Sequence, residues 1–195
     1  MLVTLKIPGK ATIRNRTSTM ASQFARARAP YILPTSDELF QRCRLLKVDP
    51  SRPDCVYCGA SATEWDHLMP MVQGAAWTGF FTEIANLVPA CGKCNQSRGS
   101  KPVAKWMRST ARWAPLTVFR IRDGLSLNRA SKEVDRRIAV IENAMVEQPP
   151  RKLEVLDHPL EAKLEEKRLE MNDLLAEAEK VASELRELYR HKVAR

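Results

Sequence analysis

An α+β fold, with a small cysteine-stapled core flanked by helices and followed by a long C-terminal helix, is what this sequence predicts. Three observations predict it. Two Cys-x-x-Cys pairs, Cys55/Cys58 and Cys91/Cys94, bracket a stretch of about forty residues rich in turn formers. Apolar residues recur at helical spacing on both sides of that stretch. From residue 153 to 190 they recur at seven-residue intervals among charged neighbours.

The cysteine pairs come first because they fix the core. A two-residue gap lets both sulfurs of one turn face a single tetrahedral ion, and two such pairs make a closed zinc site of four thiolates. That site is structural, since four thiolates leave no position for a reacting water. Thiolates require a reducing compartment, and no run of 18 apolar residues is present, so a soluble, cytoplasmic protein is expected. Cys43 is left over and is read as a small hydrophobe.

The flanking elements follow in chain order. Residues 1–34 form a basic arm, with a short strand expected over Met1–Ile7. Its composition suits a disordered tail, a DNA-contacting arm or a transit peptide. A helix opens at Thr35-Ser36-Asp37-Glu38, with Ser36 as its cap, and stops near Asp49-Pro50. Val103–Arg112 is expected to be helical and Pro115 to interrupt it. Ser131–Val146 makes another helix, with Val134, Ile138, Ile141 and Met145 on one face. In the last helix Leu164, Met171, Ala178 and Leu185 form one heptad series, and Leu160, Leu174, Val181 and Leu188 a second, flawed by Lys167. It is expected to pair with a second copy, or to fold back on Ser131–Val146. The domain boundaries expected are thus 1–34, 35–114 and 115–195.

Charge narrows the partner. Residues 1–124 hold 18 Lys and Arg against 8 Asp and Glu, a balance of +10, while residues 125–195 balance at −1. No acid occurs in residues 84–122, which carry eight basic side chains. Positive charge clustered in this way favours a polyanion, through release of condensed counterions.

Between and around the cysteines run Glu64-Trp65-Asp66-His67-Leu68-Met69-Pro70, then Asn86-Leu87-Val88-Pro89-Ala90, and then Cys91-Gly-Lys-Cys94-Asn95-Gln-Ser-Arg98-Gly-Ser-Lys101. This succession resembles the HNH endonuclease family in its four-cysteine zinc version, over about a quarter of the chain. The resemblance implies a ββα-metal core and hydrolysis of DNA phosphodiester bonds. His67 would be the general base that activates water, and Asn86 would hold the hairpin and orient it. Asp66 and Asn95 would ligate a catalytic ion, Mg²⁺ or Mn²⁺ given two oxygen donors. Arg98 stands where the family usually has Lys and would hold a DNA phosphate, with Lys101 as a second candidate. Asp66 and His67 project to opposite faces of a strand, so the pair is expected at a strand end or bulge. A restriction or phage-defence role is the preferred one, and a homodimer through the C-terminal helix the expected assembly. The alternative is a zinc-stabilised nucleic-acid binding module without catalysis. Trp65 and Trp106 are read as packing residues, and the insertion Val72–Ile84 either covers the site or packs as a small core.

Overall fold

The computed structural model describes residues 17–74, 76–155 and 157–193. It divides into two units: Arg28–Glu154, and the segments up to Ala27 and from Val155 onward. In chain order the elements are α1 (Thr17–Ala27), α2 (Ser36–Leu45), β1 (Glu64–His67), β2 (Val72–Gln73), β3 (Ala76–Trp77), β4 (Leu87–Ala90), α3 (Gly92–Arg98), α4 (Val103–Met107), α5 (Pro115–Ile121), α6 (Leu127–Glu147) and α7 (Pro159–Val193). A short 3-10 turn, Ile84–Asn86, leads into β4. The strand expected over Met1–Ile7 lies outside the described residues. No described helix is long and apolar enough to cross a membrane.

Unit Arg28–Glu154 is organised around one antiparallel pair. β1 and β4 run in register Glu64↔Ala90, Trp65↔Pro89, Asp66↔Val88 and His67↔Leu87. β4 is buried along its whole length, as expected of a strand covered on both faces. One core then gathers the cysteine knuckle, β4 and the helices after it. Tyr57 packs edge-on against Trp106, ring centroids 5.2 Å apart. Val56, Val88, Met107, Phe119, Val134, Ile138 and Ile141 fill the same cluster. Each such side chain contributes about 1.5–3 kcal/mol on burial.

This packing redraws the expected boundary at residue 114. α5 and α6 supply Phe119, Ala130, Val134, Ile138, Ile141 and Ala144 to the core beneath the cysteine motif, so both belong to the same unit. Pro115 begins a helix rather than interrupting one. It sits at N1, where its missing N–H would have had no partner in the helix. The expected helix from Val103 ends at Met107. α6 starts four residues before Ser131, because Ser126 supplies its cap.

α2 is capped by Thr35 and not by Ser36. Glu38 N donates to Thr35 Oγ1 at 3.2 Å, and Thr35 N donates to Glu38 Oε2 at 2.7 Å, a reciprocal capping box. From α2, Arg42 runs inward and is fully buried. It donates to the carbonyls of Ala85 (2.8 Å), Leu87 (3.0 Å) and Ala144 (3.3 Å), and to Gln148 Oε1 (3.3 Å). Burial pulls its pKa down to about 10, yet its donors are occupied, which is what makes a buried guanidinium tolerable. Cys43 beside it is buried too, and burial pushes its thiol up.

In the second unit α1 and α7 contact each other. Leu164 and Met171 of the first heptad series are half-buried, whereas Leu160, Leu174 and Val181 of the second are exposed.

Candidate active site and metal centre

The four cysteines converge. Their sulfurs all lie within 4.8 Å of one another, and Cys58 Sγ is 3.8 Å from Cys91 Sγ. Zinc–sulfur bonds of about 2.3 Å in a tetrahedron place sulfurs roughly 3.8 Å apart, so this donor set fits zinc. Without a cation the four groups cannot all ionise. Hydrogen bonds from Cys55 and Cys94 hold Cys58 far below the usual thiol range, while the bond to Cys58 pushes Cys55 up and bonds to Cys55 and then Cys58 push Cys94 up. A divalent ion removes that conflict. The local backbone is built for the knuckle: Gly59, at φ +72°, donates its N–H to Cys55 O at 2.8 Å. A Cβ there would meet only the movable Arg137 guanidinium, so it is the left-handed conformation that calls for glycine.

The second cysteine pair opens α3, with Cys91 at its N-cap, and α3 in turn carries Asn95 and Arg98. Arg98 is 1 % exposed, which corrects the phosphate contact expected of it. Its Nε donates to Asp66 Oδ2 at 2.7 Å and its Nη2 to Asp66 Oδ1 at 2.8 Å. Nη2 also reaches the His67 carbonyl, and Nη1 those of Leu68 (3.3 Å) and Lys101 (3.4 Å). A guanidinium whose fork is filled by one carboxylate and three carbonyls has nothing left for DNA. Lys101 is exposed and caps the end of α3, donating to Ser97 O at 2.8 Å.

Asp66 and His67 take opposite faces, and His67 is the last residue of β1. Asp66 points inward, 4 % exposed, and accepts from the Tyr57 hydroxyl at 2.8 Å as well as from Arg98. Burial and the facing carboxylate keep that phenol well above its ordinary pKa and protonated. His67 points the other way, with Nε2 2.9 Å from Thr82 Oγ1. The structure therefore brings Asp66 to Arg98 and His67 to Thr82, and separates an acid and a base that are neighbours in sequence.

Asn86 is 1 % exposed and pins the chain just past His67. Its Oδ1 accepts from Met69 N at 2.7 Å, and its Nδ2 donates to Met69 O (3.1 Å) and Phe81 O (3.0 Å). Asn95 is half-buried and makes no side-chain hydrogen bond among the described residues. Its amide is open to an ion, while the Asp66 carboxylate, as folded, is closed by Arg98. The donor set for a catalytic ion is thus half fitted.

The insertion between the two strands forms part of the site wall. β2 and β3 pair, Trp77 Nε1 donates to Phe80 O at 2.7 Å, and Phe81 is buried. Thr82 and Glu83 follow, and neither stands out in sequence. Glu83 is buried and binds Arg151 through both carboxylate oxygens, each at 2.6 Å, tying the segment after α6 to the insertion. Trp106 is a packing residue donating to Ser97 Oγ at 3.1 Å, and Trp65 is half-buried in β1.

Comparison with known proteins agrees with this geometry. Residues 55–101 match the HNH endonuclease family. Over 61 residues the chain is 39 % identical to the CRISPR-associated endonuclease Cas9 of Corynebacterium diphtheriae, an alignment covering 29 % of this chain and 5 % of that protein. The chain thus spans only a small part of that relative's length. No solved structure matches. Over residues 55–101, this chain is therefore similar to the HNH endonuclease family.

Proposed function

We propose that this protein is a metal-dependent endonuclease that hydrolyses DNA phosphodiester bonds, with His67 as the general base. The register that pairs His67 with Leu87 carries the reading. It sets the Asp-His end of β1 against the Asn-Leu-Val-Pro-Ala strand, directly ahead of the zinc turn and the helix bearing Asn95. His67 takes the proton from the attacking water, and Thr82 fixes the orientation of its ring. Asn86 keeps the loop after His67 in place and acts as a positioning residue. A divalent ion, Mg²⁺ or Mn²⁺, would be held through Asn95, and through Asp66 were Arg98 to release it, and would supply positive charge for the departing oxygen. The four-cysteine site holds the structural zinc.

The DNA contact falls to exposed cations of the acid-free stretch, Lys101 among them, rather than to Arg98. The exposed row Leu160, Leu174 and Val181 on α7 supports a homodimer, which suits two-fold cutting in a restriction or phage-defence enzyme. Reduced thiols at the zinc site favour the cytoplasm.

Supercoiled plasmid incubated with the purified protein and Mg²⁺ or Mn²⁺ tests the reading. Nicking or linearisation that is abolished by EDTA and by His67→Ala supports it. DNA binding by both proteins with no cutting on plasmids of varied sequence and methylation overturns it, in favour of a non-catalytic binding module.

A further inference from the structure

On the zinc side of α3 lies a cavity of about 430 Å³, floored by Cys58, Cys91 and Cys94. It is walled by Trp113, Val118 and Ile121, and its volume falls in the size range of small-ligand pockets. Ile121 at its lip is 79 % exposed, an apolar side chain held out to water.

The cations around it are arranged unusually. Lys93 Nζ lies 4.6 Å, and Arg112 Cζ 5.0 Å, from the centroid of the Trp113 ring. One indole therefore gathers two like charges, and an anion beside that ring would be attracted by both. No carboxylate lines the cavity, and neither cation has an ion-pair partner among the described residues. Arg122 completes the rim, although its own charge is answered by Asp123 at 2.6 Å.

We propose that this cavity is an accessory nucleic-acid site that takes one unpaired nucleotide of a single strand. The phosphate lies at Lys93 and Arg112, and the base enters the apolar recess against Val118 and Ile121. Charge complementarity selects the occupant: an apolar recess alone would suit many ligands, but two unanswered cations at its mouth select a phosphate attached to an apolar ring. Lys93 and Asn95 stand two residues apart on α3, so they project to different sides of the helix, and this site is separate from the one around His67. The proposal rests on the nucleic-acid half of the reading above and not on cleavage.

The test is equilibrium binding of fluorescein-labelled oligothymidylate, and of a blunt duplex, to zinc-loaded protein carrying His67→Ala so that nothing is cut. Lys93→Gln/Arg112→Gln is expected to weaken oligothymidylate binding roughly 20-fold at 0.1 M salt, and to flatten the salt slope by about 1.4. Ile121→Ala is expected to weaken oligothymidylate several-fold and leave the duplex unchanged. Undiminished binding by the double variant overturns the proposal. So does equal weakening on duplex and single strand with no effect of Ile121→Ala, which would leave a phosphate contact and no base site. Loss of zinc from the double variant, with binding restored on zinc saturation, also overturns it, because the two cations would then serve only to neutralise the thiolates. Should the double variant fail to fold, Ile121→Ala decides alone, since its side chain is on the surface. Because binding is read in protein that cannot cut, absence of plasmid cleavage by the wild type would leave this result standing.

Discussion

Replacing Arg98 with alanine should destabilise the unit Arg28–Glu154 by about 3–5 kcal/mol, the loss expected when one partner of a buried ion pair is removed. Asp66 would remain, 4 % exposed, with the Tyr57 hydroxyl as its remaining side-chain donor, and the carbonyls of His67, Leu68 and Lys101 would lose theirs. Protonation of the stranded carboxylate softens the penalty and argues for the lower end of that range. For a unit of about 127 residues the melting temperature should fall by roughly 10 °C. The assay is urea unfolding of the zinc-loaded protein for wild type, Arg98→Ala, Asp66→Asn and the pair Asp66→Asn/Arg98→Met. The pair should recover part of the loss, because it removes both charges instead of stranding one. An Arg98→Ala loss below about 1 kcal/mol, accompanied by a shallower salt dependence of DNA binding, would refute the reasoning. Arg98 would then be the surface phosphate contact that its position in the motif suggests.

Other outcomes can be checked alongside. Zinc binding to metal-free protein should release protons, Cys55 and Cys94 at least giving up theirs at neutral pH. Calorimetry in buffers of different ionisation enthalpy would count them, and zinc affinity should fall as pH falls, since protons compete for the sulfurs. Asn86→Ala leaves Met69 N, Met69 O and Phe81 O without their partner, and about 2 kcal/mol of stability should go with it, read by denaturant titration. Asn95→Ala should leave melting temperature and zinc content unchanged while raising the Mg²⁺ or Mn²⁺ concentration needed for plasmid cutting. Thr35→Ala should lower stability by about 1 kcal/mol through loss of the cap, whereas Ser36→Ala should change it by only a few tenths.

Spacing made some of this legible and tertiary burial hid the rest. The cysteine pairs could be read as one site because ligand geometry is local: two residues between sulfurs already set the turn. The opposed faces of Asp66 and His67 follow from strand alternation alone. What faces each of them does not, because Thr82 and Arg98 reach them from segments 15 and 32 residues away from His67 and Asp66. An arginine in an acid-free run reads as surface charge until a strand end is placed over it. Arg42 is hidden for the same reason, its acceptors being carbonyls, which carry no sequence signal. At Thr35-Ser36 two good caps stand side by side, and the glutamate three residues after Thr35 decides between them. Pro115 marks a helix edge in sequence, and whether that edge is a start or a stop depended on Phe119 finding the core.

The Arg42 brace has a consequence for how this motif travels between proteins. It joins α2 to carbonyls 43, 45 and 102 residues further along the chain. Residues 55–101 rest on side chains supplied by α4, α5 and α6. The stretch that matches the family is therefore a guest, and the helices around it are the host that makes it fold. A graft of the motif alone into another scaffold would bring the chemistry without its foundation. The smallest portable piece is Arg28–Glu154, and a recipient that accepts less must already own helices with the same apolar faces.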